Sequence, residues 1–320
     1  MWPLIKILPV KTNFNFVRFA RLAAIISAIA VIASLSRAMI PFELPCGGLT
    51  CGIDFEGGTV LELSTNPRPV DLGVARASLE RMNLGDVQVQ AFGTPNQAMV
   101  RFQTPANASP AATVDAVKAT LTKSLGNVKF ERTDVVGPKV SGELFRGGLI
   151  ALLLSIGLMM IYIWFRFELQ FGIGAVVALF HDVILTFGII AFAKLEFSLT
   201  TVAAILTVIG YSMNDTVVVF DRLRENLRKY KRMPLREVID LSINETLSRT
   251  IITGLTAMLA LGGLAVFGGP TLFHMTIVLM FGIVIGTYSS IYVAAPVILL
   301  WGVKRNDEPA EPLKPSTVRL

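Results

Sequence analysis

Charge is what this chain has least of. Of its 320 residues only 16% are Asp, Glu, Lys or Arg while 53% are hydrophobic, against about 25% charged in soluble domains, which excludes an ordinary water-soluble globule. Cysteine is scarce as well. Cys46 and Cys51 are the only two, too few thiols for a structural metal site, and in PCGGLTCG they lack the Cys-x-x-Cys spacing of redox catalysts. A disulfide across this short glycine-bearing loop, in an oxidising compartment, is one reading and two free thiols is the other. Between residues 41 and 144 there is also no nucleophile paired with a base, no phosphate-binding loop and no cluster of metal ligands. That region therefore offers no enzyme site and no cofactor or metal site.

What is abundant is apolar sequence in long runs. Stretches near or above the ~18 residues that suggest a membrane span occupy 19–40, 145–165, 171–193, 199–220, 250–267 and 272–301. The first is preceded by Lys6, Lys11, Arg18 and Arg21 as a signal peptide would be. Its core is long and no Ala-x-Ala-like site is obvious, so it reads as an uncleaved anchor. Lysine and arginine set orientation through short loops. Residues 222–236 carry seven of them, whereas Lys194 stands alone on the other side. Both termini are thus expected in the cytoplasm. The net charge of +6 is accounted for by orientation and by anionic lipid, with no need for nucleic acid.

The expected division is 1–40 for the N-terminus and first span, 41–144 for a domain outside the membrane, 145–302 for five further spans with a basic loop at 221–249, and 303–320 for a cytoplasmic tail. Within 41–144, residues 59–64 alternate as a strand, and Leu72, Ala75, Leu79 and Met82 follow an N-cap-like Asp71 at helical spacing. Residues 86–92 and 99–103 read as strands around a Gly-Thr-Pro-Asn turn. Val114, Val117, Leu121 and Leu125 then mark a second helix, and 128–136 a last strand. The order βαββαβ is the ferredoxin-like α+β arrangement, an antiparallel sheet with two helices on one face. Just before it, GIDFEGGT places Asp54, Gly57 and Gly58 between an anchor helix and a domain, where a hinge is expected.

Polar residues inside the apolar runs are the functional signal, because a carboxylate at a membrane helix centre costs roughly 2.5–3.5 kcal/mol on insertion scales. The run at 171–193 holds His181 and Asp182, read either as a hydrogen-bonded pair that locks helix packing or as a proton-handling pair. The run at 199–220 ends in GYSMNDTVVVFDRLREN. At about 100° per residue, Thr207, Tyr211, Asn214, Val218 and Asp221 share a stripe with Asp215 at its edge. Arg249, Thr253, Thr256, Ala260 and Gly263 form a small, polar stripe on the next helix. In an antiparallel hairpin Asp215 and Arg249 would meet as a switchable ion pair. Residues 222–248 are expected as an amphipathic helix on the membrane surface, and SINETLSRT brings Asn244 towards the following span. Gly282 and Gly286, at GxxxG spacing, mark a close helix contact.

DFEGGT, ALFHDV, GYSMNDTVVVFDRLREN and SINETLSRTIITG, in this order over the whole chain, resemble the SecF family of bacterial Sec translocase accessory subunits. The resemblance implies a polytopic α-helical membrane protein, half of an RND-type exporter, with a ferredoxin-like periplasmic domain. It implies SecD, the SecYEG channel with YajC, and a translocating preprotein as partners, in the bacterial inner membrane. The function implied is use of the proton gradient to promote preprotein export. It places the family's proton-linked aspartate on Asp215 and its arginine on Arg249. The cysteine pair is not part of the pattern. An RND-like small-molecule or lipid exporter is the alternative. An intramembrane aspartyl protease using Asp182 and Asp215 lacks its Gly-x-Gly-Asp motif, and a purely structural subunit would leave Asp215 without a role.

Overall fold

The computed structural model describes residues 12–41, 45–82, 84–85, 87–105 and 108–302. Lys6, Lys11, Asp86 and the expected tail at 303–320 lie outside the described residues. A 3-10 turn, Val17–Phe19, leads into α1 (Ala20–Met39), and β1 (Thr50–Cys51) and the short α2 (Ile53–Glu56) follow.

The domain between the first two spans is built from β2 (Gly58–Thr65), α3 (Leu72–Glu80), β3 (Gln88–Phe92), β4 (Thr94–Phe102), α4 (Pro110–Leu125) and β5 (Val128–Val136). The strand order is β3-β4-β2-β5 with every neighbour antiparallel, the ferredoxin-like sheet expected from the sequence. Local chemistry sets the helix ends. Asp71 accepts a hydrogen bond from the Val74 amide at 3.0 Å, capping α3, and Gly126 closes α4 at φ +86°, a conformation that costs glycine little. Leu61, Leu63, Val100 and Phe102 from the sheet bury against Ala75 and Leu79 of α3 and Val117 and Leu121 of α4.

Among the described residues six helices are long and apolar enough to cross a membrane. They are α1 with its leading turn, α5 (Pro138–Arg166), α6 (Leu169–Phe192), α7 (Leu199–Lys229), α8 (Leu235–Phe267) and α9 (Gly269–Ser289); α9 continues through a π-helical turn, Ser290–Ala294, into α10 (Ala295–Trp301). Helices α6, α7 and α9 form the centre of the bundle. Of the apolar window of α6, 61% is buried, against 6% for α8, so α8 presents most of that face outside the chain. Gly282 and Gly286 make a contact within the chain: Gly282 lies on Val208, and a Cβ at Gly286 would sit 2.9 Å from that of Ser212. Small residues allow α7 and α9 this close approach.

One expectation fails. Residues 222–248 do not form a separate helix on the membrane surface; α7 runs on to Lys229 and α8 begins at Leu235, so they are the continuous ends of two spans. Asn226 donates to Ser242 at 3.0 Å and to Glu245 at 2.6 Å, and Arg222 pairs with Glu245 at 2.7 Å. No helix breaker lies between Phe220 and Lys229, and these bonds hold the two ends together as an antiparallel pair.

Candidate functional site

Asp215 lies inside the bundle on α7, 9% exposed. Thr250 of α8 donates to its Oδ1 and Ser290 of the π turn to its Oδ2, both at 2.6 Å. Hydroxyls thus satisfy the carboxylate. Arg249 is exposed, and among the described residues no ion pair joins it to Asp215. The expected Asp215–Arg249 contact is therefore corrected to Asp215–Thr250. The physical reason is the helical step: one residue is a rotation of about 100°, so turning Thr250 inward turns Arg249 out.

A second buried carboxylate, Asp182 on α6, is 1% exposed. Its Oδ1 lies 2.8 Å from His181 Nδ1, and its Oδ2 accepts from Ser212 of α7 and, at 2.6 Å, from Ser289 of α9. His181 Nε2 lies 3.1 Å from Ser27 Oγ of α1. The pair thus ties together α1, α6, α7 and α9. Asp182 and Asp215 share no hydroxyl, yet adjacent residues, Ser289 and Ser290, serve one each.

The family model for the C-terminal part of the protein export membrane proteins SecD/SecF matches residues 116–304. The chain is 44% identical over 324 residues to protein translocase subunit SecF of Rhodobacter capsulatus, covering 96% of this chain and 95% of that one. Its identity with the SecF subunit of Rickettsia bellii is 41% over 307 residues, covering 95% and 98%. This chain belongs to the SecD/SecF family. Among solved structures it resembles SecDF of Thermus, described as a translocon-associated membrane protein, with a TM-score of 0.78 and 31% identity. That match covers 92% of this chain and 39% of SecDF, so the chain spans well under half the length of that relative. A super-membrane-facing form of SecDF matches with a TM-score of 0.65.

The other candidate residues of this SecD/SecF family member separate into two groups. Asn214 is exposed on the outer face of α7 with Thr207 and Gly210, and Tyr211 is half-buried beside Gly254. Asn244 lies elsewhere: it accepts from the Phe14 amide at 2.9 Å and donates to the Phe14 and Asp240 carbonyls, pinning the N-terminal segment to α8.

The stretch expected as a hinge is a packed junction. Asp54 accepts from the Leu199 amide at 2.9 Å, capping the first turn of α7 from another part of the chain. Phe55 is buried with Phe145 and Phe197, at centroid distances of 5.5 and 5.1 Å. Gly57 and Gly58 have φ of +78° and +115°, and a Cβ at Gly58 would lie 2.9 Å from the Phe102 carbonyl. Cys46 and Cys51 are disulfide-bonded, and β1, which carries Cys51, pairs in parallel with β6 (Glu196–Phe197) just before α7. Arg101 of β4 binds the Cys51 carbonyl and Glu56.

Sequence reasoning missed Thr250, Ser289, Ser290, Ser212 and Ser27 as partners of the two carboxylates. Their signal was weak: each is a small hydroxyl residue in or beside an apolar run, as Ser289–Ser290 show best, and that reads equally well as small residues at a helix contact.

Proposed function

We propose that this chain is the SecF-type subunit of the bacterial Sec machinery, which with SecD uses the proton gradient to promote preprotein export across the inner membrane. The observation that carries the reading is Asp215, a buried carboxylate held by hydroxyls alone, on a helix whose first turn is capped by Asp54 at the base of the sheet domain. Proton loading at Asp215 removes its charge and changes what Thr250 and Ser290 can donate to. The packing of α7 against α8 and the π turn then shifts, and the Asp54 cap passes the shift to the domain. Moving one charge through 100 mV supplies about 2.3 kcal/mol, enough to bias a two-state element by roughly fiftyfold.

In this reading the basic ends of α7 and α8 and both termini are cytoplasmic, and the sheet domain is periplasmic, where it meets the emerging preprotein beside the SecYEG channel and YajC. The exposed stripe of Thr207, Gly210 and Asn214 on α7, with Arg249 and Thr253 on α8, receives SecD. It is too polar to face lipid chains, and Arg249 then completes the proton site from the subunit boundary. The role is mechanical and involves no covalent step.

The test is pulse-chase export of a secreted precursor in cells depleted of their own copy and complemented with wild type or Asp215→Asn at matched expression. The mutant is expected to assemble with SecD and export no better than the depleted strain. Export equal to wild type overturns the reading.

A further inference from the structure

We propose that His181 and Asp182 form a second proton-holding site, whose occupancy is coupled to that of Asp215 through the Ser289–Ser290 turn. The coupling rests on the reading of Asp215 given above; the site itself rests on a count of hydrogen-bond donors.

Tyr288 gives its hydroxyl proton to the Ala23 carbonyl at 3.0 Å. The 2.9 Å contact between Tyr288 and Ser27 must then be donated by Ser27. With its one proton so used, Ser27 can only accept from His181, and the ring carries a proton on Nε2. At the other side of the ring, Nδ1 lies 2.8 Å from Asp182 Oδ1. A bare nitrogen facing a bare carboxylate oxygen at that distance is repulsive, so a proton lies between them. It is either an Nδ1–H donated to a carboxylate or a carboxylic O–H donated to the ring. In both cases the pair holds one proton more than a neutral ring beside a carboxylate, and its net charge is zero. This is the form a buried site favours, since an uncompensated charge in the membrane is costly.

A change of protonation at either carboxylate has a built-in accommodation at the π turn. Ser289 donates to Asp182 but also lies 3.2 Å from the Gly286 carbonyl. Ser290 donates to Asp215 and lies 3.0 Å from the Thr287 carbonyl. Each hydroxyl can turn to its own helix when its carboxylate loses its charge and becomes the weaker acceptor, and turn back when the charge returns. The two serines are consecutive, so a turn that repositions one repositions the other. π-helical turns of this kind recur at functional sites because they break the regular ladder locally.

Among the described residues the titratable and charged groups around the pair are these. Tyr288 of α9 stacks on the His181 ring at 5.9 Å, with Tyr292 of the π turn 5.4 Å beyond it. Tyr211 and Asp215 lie on α7. Arg21 of α1 and Arg236 of α8 line the same groove of about 680 Å³ onto which His181 opens.

The test uses the full chain assembled with SecD in lipid nanodiscs, labelled with ¹⁵N-histidine, in a His274→Gln background so that His181 gives the only signal. Near pH 7 both ring nitrogens are expected to be protonated, or an infrared carboxylic-acid band is expected that Asp182→Asn removes. A ring with one unprotonated nitrogen and no such band overturns the site. Where Asp182→Asn does not assemble, the infrared band is assigned instead by ¹³C-aspartate labelling of the otherwise unaltered chain. For the coupling, Asp215→Asn is expected to change the protonated fraction of the pair about twofold or more, and Ser289→Ala to abolish that change. An unchanged fraction in Asp215→Asn overturns the coupling. Failure here is distinguishable from failure of the export reading. Loss of export in Asp215→Asn with an unresponsive His181 sinks the coupling alone, whereas normal export with a responsive His181 sinks the export reading alone.

Discussion

Asp182 and Asp215 are both carboxylates buried in the same bundle, and they are satisfied in different ways. Asp182 has the adjacent imidazole and, at 1% exposure, hydroxyls from two other helices; Asp215 is 9% exposed, has among the described residues the hydroxyls of Thr250 and Ser290, and its partner Thr250 follows an exposed arginine. Asp182 is complete within the chain. Asp215 lies behind an exposed polar surface formed by Asn214, Arg249 and Thr253. The difference teaches that burial alone does not set two carboxylates apart; what does is whether an exposed polar surface lies beside them.

The comparison predicts unequal costs of removal. Asp182→Leu is expected to destabilise the chain by about 3–5 kcal/mol, because it leaves His181 and Ser212 buried without their acceptor, while Ser289 retains only the Gly286 carbonyl. Asp215→Leu is expected to cost about 1–3 kcal/mol, since it removes the acceptor of two hydroxyls, of which Ser290 also lies 3.0 Å from the Thr287 carbonyl. Unfolding of the purified chains in mixed micelles measures both, and equal losses would erase the distinction.

The junction comes next in size. Asp54→Ala removes the cap on α7 and is expected to cost about 0.5–2 kcal/mol, with export reduced because the domain loses a direct tie to the helix that carries Asp215. A silent Asp54→Ala in both assays would mean that β1, β6 and Phe55 make the connection without it. Smaller still is Arg249→Gln. The isolated chain should change by less than about 0.5 kcal/mol, while co-purification with SecD and export both fall. A large loss of stability in the isolated chain would instead place Arg249 inside this subunit.

The smallest effect belongs to a carboxylate outside the membrane. Burial on β2 holds the Glu62 carboxyl above its usual range, against the pull of Arg132. A raised folded value means the folded domain binds this proton more tightly than the unfolded chain. The contribution is therefore fully present below the ordinary value of 4.5 and is lost as pH rises through the folded one. Glu62→Gln should flatten the stability profile just above that value; an unchanged profile would assign the pH dependence to other groups.

Much of this was readable from spacing. Val114, Val117 and Leu121 fall on one helical face because the period of 3.6 residues is local, and all three are buried where α4 meets the sheet. Asp182 and Asp215 stood out because charge in an apolar run is costly wherever the helices go. The orientation of α8 was not readable: a stripe of Arg249, Thr253, Thr256, Ala260 and Gly263 is small and polar enough to face α7, yet all five are exposed. Choosing between Arg249 and Thr250 needs the rotation of a helix about its axis, which is set by the packing of Val238, Ile239 and Ile243 at its other end. Asp54 was visible as an acid beside glycines, but its partner amide is 145 residues away.

By itself the sequence determined that the chain spans a membrane, that a βαββαβ domain interrupts the spans, and that two carboxylates lie among apolar residues. These properties follow from hydropathy and from periods of two and 3.6, which depend on neighbours a few residues apart. Only the tertiary structure decided which hydroxyls hold those carboxylates, that Arg249 faces outward, and that the base of the domain caps α7. Those contacts join residues distant in sequence, and a rotation of about 100° for each residue of register is enough to exchange one partner for another without changing any local pattern.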